Sequence, residues 1–418
     1  MDLIAYAVPF FLAALLVELV ADKLRKSRLY RLNDAVNSLS AGILDQTTGY
    51  FTKFLPLFFY GLVFEHFALI DMPLAWFDLS PRGIALWAIA IVGWDFCYYW
   101  LHRYSHEISV LWAAHAVHHQ SEDYNLSTAL RQTSSSFLLN WIFFLPMFVI
   151  GFPFEVLFAV AAINLIYQFW VHTQIVRRLG VLDRIFSTPS NHRVHHAQND
   201  RYIDKNYGGI FIIWDRMFGT FQAELDEEPV VFGVRKQLAN WNPIWANLQV
   251  YSYLWQDSVR AERLGDKLRV WFGRTGWRPA DVAAAYPRAL TDPEHLVRFD
   301  PAVPAAVRRY VLLQFVIATA LTLVISVLYA QQGAAVVLVP CLQLWALLYT
   351  LGLLDEMRPY ALRFEALRLL VIVPLGILAF GTQAAWLVPT AAGYILASLI
   401  GLILIRKSVL KQQVIDVN

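Results

Sequence analysis

Charge is scarce in this chain. Only 16% of its 418 residues are Asp, Glu, Lys or Arg, against about a quarter in an ordinary soluble domain. That leaves too little polar surface to cover a soluble globule of this size. The formal net charge is +2, too small to make the basic field that a nucleic-acid partner requires. Cysteine is almost missing: Cys97 and Cys341 lie far apart, each inside an apolar run, so neither a disulfide framework nor a thiolate zinc site can be built. No internal repeat or low-complexity tract occurs. No cleavable leader is expected at the first apolar stretch. The apolar stretch Ile4–Val20 has no basic segment before it and is followed by Lys23, Arg25, Lys26, Arg28 and Arg31 rather than a small-residue cleavage site. It reads as an uncleaved first span that leaves its C-terminal end in the cytoplasm.

What the chain has in plenty is apolar and aromatic residues. Hydrophobic residues make up 58%, Trp alone occurs 15 times, and the mean hydropathy is +0.46. This is the composition of an integral membrane protein. A hydrocarbon layer of about 30 Å needs roughly 20 apolar residues of helix. Segments 4–20, 45–64, 83–101, 135–151, 153–171, 307–330, 333–354, 366–385 and 387–405 meet or approach that need. The expected fold is therefore all-α, a polytopic helical bundle of about nine spans. Segments 135–151 and 153–171, joined by Gly151-Phe152-Pro153, could equally form a shallow hairpin. Segment 45–64 is interrupted by Asp45, Gln46 and Lys53. Nine alternating spans place every Lys/Arg-rich loop on one side, which the positive-inside rule assigns to the cytoplasm, with the N-terminus outside. The expected divisions are an N-terminal membrane part (1–82), a histidine-rich core (83–225), a cytoplasmic segment (226–305) and a four-span membrane block (306–418). In 241–278, Trp and Leu alternate with Arg. Such a segment either packs under the core or lies on the membrane surface.

Histidine is distributed very unevenly. Of eleven, nine lie between positions 102 and 196. His102 and His106 are spaced i, i+4; His115, His118 and His119 are spaced i, i+3, i+4, and His192, His195 and His196 repeat that pattern. On a helix each set shares one face. His172 stands alone at the end of the span 153–171. A lone histidine is more often a satisfied polar residue than a ligand, but three clusters together point to metal. Iron that must meet dioxygen takes imidazole or carboxylate ligands with positions left open, and two irons at four or five nitrogens each use nearly all nine rings. Structural zinc would be content with four ligands, often including Cys. Each ligating ring needs an acceptor for its other N–H. Asp95, seven residues before His102 on the same helical face, is one candidate, and an arginine partner is its alternative. Glu122 and Asp123, directly after His119, are the other acidic candidates, unless they belong to a solvated loop. Asp183 and Asp204 read as caps or surface residues, and His66 and His295 as ordinary surface histidines.

At these histidines the chain resembles the fatty acid hydroxylase and sterol desaturase superfamily. It is most similar to the alkylglycerol monooxygenase family within it. Ser121–Gln132 (SEDYNLSTALRQ), Tyr167–Thr173 (YQFWVHT), Ile203–Tyr207 (IDKNY) and Trp214–Phe221 (WDRMFGTF) carry the likeness. So do the early Arg31–Ala35 and the late Leu353–Asp355 with Arg358-Pro359, so it spans most of the chain. Asn191, next to His192, departs from the family pattern but leaves the histidine box intact. The resemblance implies a monooxygenase that hydroxylates the carbon beside the ether oxygen of a membrane lipid, releasing a fatty aldehyde. It also implies two iron ions on the nine histidines, dioxygen, and tetrahydrobiopterin as soluble reductant. The Ala, Arg and Trp usage reads as bacterial; the expected location is an inner membrane in that case and the endoplasmic reticulum in a eukaryote. Two other readings are a sterol or fatty-acyl hydroxylase or desaturase on the same scaffold, and a metal transporter. A transporter would place ionisable ligands near the bilayer midplane, where Asp95 is nearly alone here.

Overall fold

The computed structural model describes residues 3–380 and 387–417. Among these residues no β-strand forms; Ile108–Arg274, Phe186–Phe211 and Ala197–Phe232 meet only as isolated bridges. The helices used below are, in chain order, α1 (Leu3–Arg25), α2 (Leu32–Thr52), α3 (Phe54–Phe67), α4 (Pro81–Glu107), α5 (Ser109–His119) and α6 (Phe154–Trp170). They continue with α7 (Pro189–His195), α8 (Pro243–Arg260), α9 (Leu264–Phe272), α10 (Ala305–Gln332), α11 (Ala334–Asp355) and α12 (Leu387–Val417).

Among the described residues, four helices are long and apolar enough to cross a membrane: α4, α10, α11 and α12. The expected count of nine is not reproduced as nine continuous helices: segment 4–20 lies within the unbroken 23-residue α1, and four other segments are divided, short or interrupted. Segment 45–64 is divided between α2 and α3 at Lys53. Segment 135–151 forms two 3₁₀ turns and the short helix Leu145–Ile150. Segment 153–171 is the 17-residue α6, about 25 Å at 1.5 Å per residue and short of the full hydrocarbon layer. Between these two, Gly151 takes φ +104°, where a Cβ would lie 1.8 Å from the Ile70 carbonyl oxygen. Only glycine fits that turn. The 366–385 stretch is interrupted by a π turn at Arg368–Ile372; its end, and the expected turn near 386, lie outside the described residues.

The chain forms two compact units. One comprises the residues up to Arg31 with 52–238 and 247–296. Its apolar core packs Tyr60 of α3, Trp94 of α4 and Leu157 of α6 against Phe144, Met147 and Phe148. Trp94 stacks on Phe144 at 4.1 Å and Tyr60 on Phe148 at 4.2 Å between ring centroids. The other unit comprises 32–51, 239–246 and the residues from Val297 onward. There α10 and α11 interdigitate through Val311, Phe315, Leu344, Leu348 and Leu351. Asn37 of α2 donates to the Trp241 carbonyl at 2.5 Å. Glu365 and Arg368 are both fully buried and pair through two contacts of 2.7 Å. Tyr310 donates to the same carboxylate. A buried ion pair stands only when its remaining polar positions are also satisfied. The π turn frees a carbonyl at Ile372, and Gln343 donates to it at 2.7 Å.

Candidate metal centre

The end of α4 decides where the first histidines lie. Ser80 caps this 27-residue helix, accepting from the Gly83 amide at 3.1 Å, and Pro81 occupies its first turn. At the other end a single extended residue, Ile108, separates α4 from α5. The chain therefore turns sharply, and the last turns of α4 face the last turns of α5. His102 and His106 come from the former; His115, His118 and His119 come from the latter. His172 follows α6 directly, and α7 begins at Pro189 and carries His192 and His195. His196 caps it.

The nine rings converge as two groups. His102, His106, His115, His119 and His195 form one, and His118, His172, His192 and His196 the other. Within each group the nearest ring nitrogens all lie within 4.8 Å of one another. His115 is partly exposed and the other eight are buried. In the first group, Nε2–Nε2 separations are 3.0 Å for His102–His115, 3.0 Å for His115–His119 and 3.2 Å for His119–His195. In the second they are 3.1 Å for His118–His172, 3.1 Å for His172–His192 and 3.2 Å for His192–His196.

These contacts are not hydrogen bonds, and backbone acceptors show why. His118 Nδ1 donates to the Arg131 carbonyl at 2.9 Å, and His172 Nδ1 donates to the Gln168 carbonyl at 2.7 Å. A carbonyl only accepts, so the proton of each neutral ring is on Nδ1. Both Nε2 atoms are then bare lone pairs, facing each other at 3.1 Å. His102 is fixed in the same tautomer by the Tyr207 carbonyl at 2.8 Å, and His195 by the Lys205 carbonyl at 2.9 Å. His106 turns Nδ1 towards Asp204, 3.6 Å away, and its buried Nε2 has no hydrogen-bond partner. Lone pairs held in opposition need a cation between them. Two nitrogens bound at right angles, each about 2.1 Å from one ion, stand about 3.0 Å apart. The observed spacing fits that arrangement, and the donor set is nitrogen throughout.

Electrostatics keep the rings in the binding state. Burial first, then repulsion between neighbouring imidazoles, pushes His115, His119, His192, His195 and His196 well below the ordinary histidine value. Burial and His118 do the same to His172. His118 itself is pushed down to about 4, mainly by burial. Neutral imidazoles are what a metal requires.

The three acidic candidates are each held by identifiable partners. Asp95 is buried and accepts from Ile210 N at 2.7 Å, Phe211 N at 3.0 Å, Trp214 Nε1 at 3.0 Å and Asn164 Nδ2 at 2.9 Å. It meets neither a histidine nor an arginine; it ties α4 and α6 to the loop after Tyr207. Gly209 lies so close to this carboxylate that a Cβ there would sit 2.7 Å from Oδ1. Asp123 accepts from Arg31 Nε at 3.0 Å, and Glu122 accepts from Gln237 Nε2 at 2.6 Å. His295 is exposed and bonded to Asp292 at 2.7 Å. Asn191 turns away from the rings, donating to the Asp183 and Phe186 carbonyls.

The fatty acid hydroxylase family profile matches residues 87–220, the stretch that holds all nine histidines. An alkylglycerol monooxygenase of Danio rerio is 37% identical over 378 residues, covering 88% of this chain and 80% of that protein. The Homo sapiens enzyme of the same name is 35% identical, covering 90% and 82%. That of Xenopus tropicalis is 33% identical, covering 89% and 81%. The chain belongs to the alkylglycerol monooxygenase family. It is an oxygenase and an integral membrane protein. No solved structure matches it.

Sequence patterns left several residues around the histidines unmarked. Asp215 accepts from the Tyr207 amide and the Gly208 amide, both at 2.8 Å, and so fixes the carbonyl that orients His102. Glu18 of α1 is buried; it accepts from Leu126 N at 2.7 Å and from the hydroxyls of Tyr30 and Thr173. Thr173 adjoins His172. Arg131, fully buried, donates from Nε to the Val117 carbonyl at 2.6 Å, bracing the segment that carries His118. For Asp215 and Arg131 the runs WDRMFGTF and STALRQ were the available signal. Nothing in the sequence around Glu18 singled it out beyond a carboxylate in an apolar span.

Proposed function

We propose that this chain hydroxylates the carbon beside the ether oxygen of an alkylglycerol lipid. In this reading the nine histidines hold two iron ions, dioxygen is the oxidant and reduced tetrahydrobiopterin donates the electrons. The observation that carries it is a coincidence: likeness to alkylglycerol monooxygenases runs over about nine-tenths of the chain, and two all-imidazole groups with opposed lone pairs lie inside the matched region. Iron bound there would supply the activation of dioxygen and the insertion of one oxygen atom into a C–H bond.

The chain's own groups do the rest. His102, His106, His115, His119 and His195 would hold one ion, and His118, His172, His192 and His196 the other. The carbonyls of Tyr207, Arg131, Gln168 and Lys205 keep the Nδ1 protons and so aim Nε2 inward. Neutral ligands leave the bound charge uncompensated, which favours attack on an electron-rich C–H bond. Asp95, Glu122 and Asp123 act as positioning residues, through the loop 208–214, Gln237 and Arg31. The C–H bond next to an ether oxygen is weakened by the oxygen lone pairs. One oxygen atom enters it to give a hemiacetal, and the other leaves as water with two electrons from the pterin and two protons. The hemiacetal then collapses to a fatty aldehyde and a free glycerol hydroxyl. The Lys/Arg-rich loops support a cytoplasmic position for this site. We also read 83–225 as the hydroxylase core and 306–418 as an architectural membrane block.

The test is the purified, iron-loaded protein with 1-O-alkylglycerol, dioxygen and reduced tetrahydrobiopterin. A fatty aldehyde of the same chain length as the alkyl group is expected, with an ester of equal length a poor substrate. About two irons per chain are expected, lost with activity in His118→Ala and His195→Ala. Turnover of acyl chains or sterols with alkyl ethers untouched would overturn the substrate. A single tight zinc, with activity indifferent to iron chelators, would overturn the metal.

A further inference from the structure

Helix α8 is amphipathic in the reverse sense. Its inward face carries Gln249 and Asp257, both buried, whereas Leu248, Trp255 and Val259 stand exposed. These three recur at i, i+7 and i+11 and form one stripe. Asp257 is held inside by Arg278 and Arg288, each making two contacts of 2.8–3.0 Å with its carboxylate. A helix in water turns its charges out and its Trp in. Here the polar network is internal and the apolar stripe is external.

The next helix repeats the feature. On α9, Leu264, Leu268 and Phe272 follow at i, i+4 and i+8 and are 77%, 63% and 66% exposed, while Val270 faces inward. The depth of α9 is set by α4. Thr275 N donates to the Glu107 carbonyl at 2.9 Å, and Ser109 N donates to the Gly273 carbonyl at 3.0 Å. Those contacts fasten the C-terminal end of α9 to the last residue of a spanning helix. At 27 residues, α4 is about 40 Å long and outruns the hydrocarbon layer by about 10 Å. With the apolar part of α4 at 83–101, that excess would carry its last turns, and α9 with them, to the headgroup layer. Charge points the same way: between Arg260 and Arg274 the chain carries Arg260, Arg263, Lys267, Arg269 and Arg274 against Glu262 and Asp266.

We propose that α8 and α9 form an in-plane lipid-binding surface, with Leu264, Leu268, Phe272 and Trp255 inserted at the boundary between headgroups and acyl chains of an anionic bilayer. An apolar face of this kind, flanked by cations, binds through buried area plus attraction to anionic lipid. It lies beside the Glu107–Ser109 turn, the joint between the first two histidine-bearing helices. The outward faces of α8 and α9 thus meet lipid at the level of the metal centre.

The test uses the full chain in nanodiscs of mixed phosphatidylcholine and phosphatidylglycerol. A spin label is placed at Leu268→Cys or, as a control, at the exposed polar position Glu262→Cys; the native Cys97 and Cys341 are buried. At position 268, collisions with dissolved oxygen should exceed those with a water-soluble nickel chelate by several-fold, with the order reversed at 262. The apparent depth at 268 should increase with the phosphatidylglycerol fraction. Equal nickel access at both positions would mean that the face is in water, and exclusion of both colliders at 268 would mean that protein covers it. Either result overturns the proposal, and a depth indifferent to anionic lipid overturns the role given to the basic residues.

Discussion

Replacing Asp215 by Asn should weaken one metal site and spare the other. The carboxylate makes three contacts: Oδ1 accepts from Tyr207 N at 2.8 Å and Thr220 Oγ1 at 2.6 Å, and Oδ2 accepts from Gly208 N at 2.8 Å. Asn keeps one acceptor oxygen and turns an NH₂ towards the remaining donor, so at least one charge-assisted bond is lost and one buried amide stripped. Hydrogen bonds to charged groups contribute about 1.5–3 kcal/mol each. What moves is the Tyr207 carbonyl, the acceptor that orients His102. Loss of such an outer partner typically lowers metal affinity about 10- to 100-fold, or about 1.4–2.7 kcal/mol, so the two routes to the magnitude agree. The second group takes its orientation from Arg131 and Gln168 instead. Iron titration of Asp215→Asn should therefore show one site weakened by that factor and the other unchanged, with helical circular dichroism intact. Equal weakening of both sites, or no weakening, would refute the idea that each group is oriented independently by its own carbonyls.

Glu18→Ala should produce the mirror image. It removes the acceptor for Leu126 N and for the Thr173 hydroxyl beside His172, so the four-histidine site should lose iron first in a chelator time course while the five-histidine site holds. Loss from the five-histidine site first would contradict the assignment. Acid should act through Glu224. Burial alone would raise its pKa, but Arg193 at 2.7 Å and Ser190 outweigh burial and hold it below the ordinary value. A depressed acid stabilises the fold above its unfolded pKa of about 4.5 and stops doing so as pH falls through the folded value. The melting-temperature gap between wild type and Glu224→Gln should therefore be constant above about pH 5 and shrink below it. A gap that persists unchanged at pH 3 would exclude this pair as the source.

The histidines were legible because ligand chemistry and helix periodicity coincide in them. Spacings of three and four residues put rings on one face, and the nine converge as two groups of five and four. What orients them was not legible, because four of the acceptors are backbone carbonyls (Tyr207, Arg131, Gln168 and Lys205). A carbonyl exists at every position and leaves no mark in the sequence. Asp95 shows the opposite hazard. Helix geometry put it on the face of His102, but a carboxylate goes to the donors that reach it, and backbone amides 115 and 116 residues away reach it first.

The spans divide for a related reason. Hydropathy reports how apolar a stretch is and is silent on whether its backbone stays helical. Lys53 separates two helices, and the Arg368 turn widens to π geometry around a buried ion pair. The first break falls at a residue that already interrupts the apolar run, whereas the second lies in a stretch apolar enough to read as continuous. Helix α8 carries the point further. Its alternation of Trp, Leu and charge is compatible with either face turned inward, and the sequence left packing and membrane contact equally open. The choice rests on Asp257. Two arginines from 278 and 288 neutralise it, and a carboxylate with two such partners is stable inside, where it would otherwise be driven out. Once Asp257 faces inward, the helix geometry leaves Trp255 and Val259 no position except the outside. The orientation of this surface is thus set by a long-range ion-pair cluster and not by the apolar residues that it exposes.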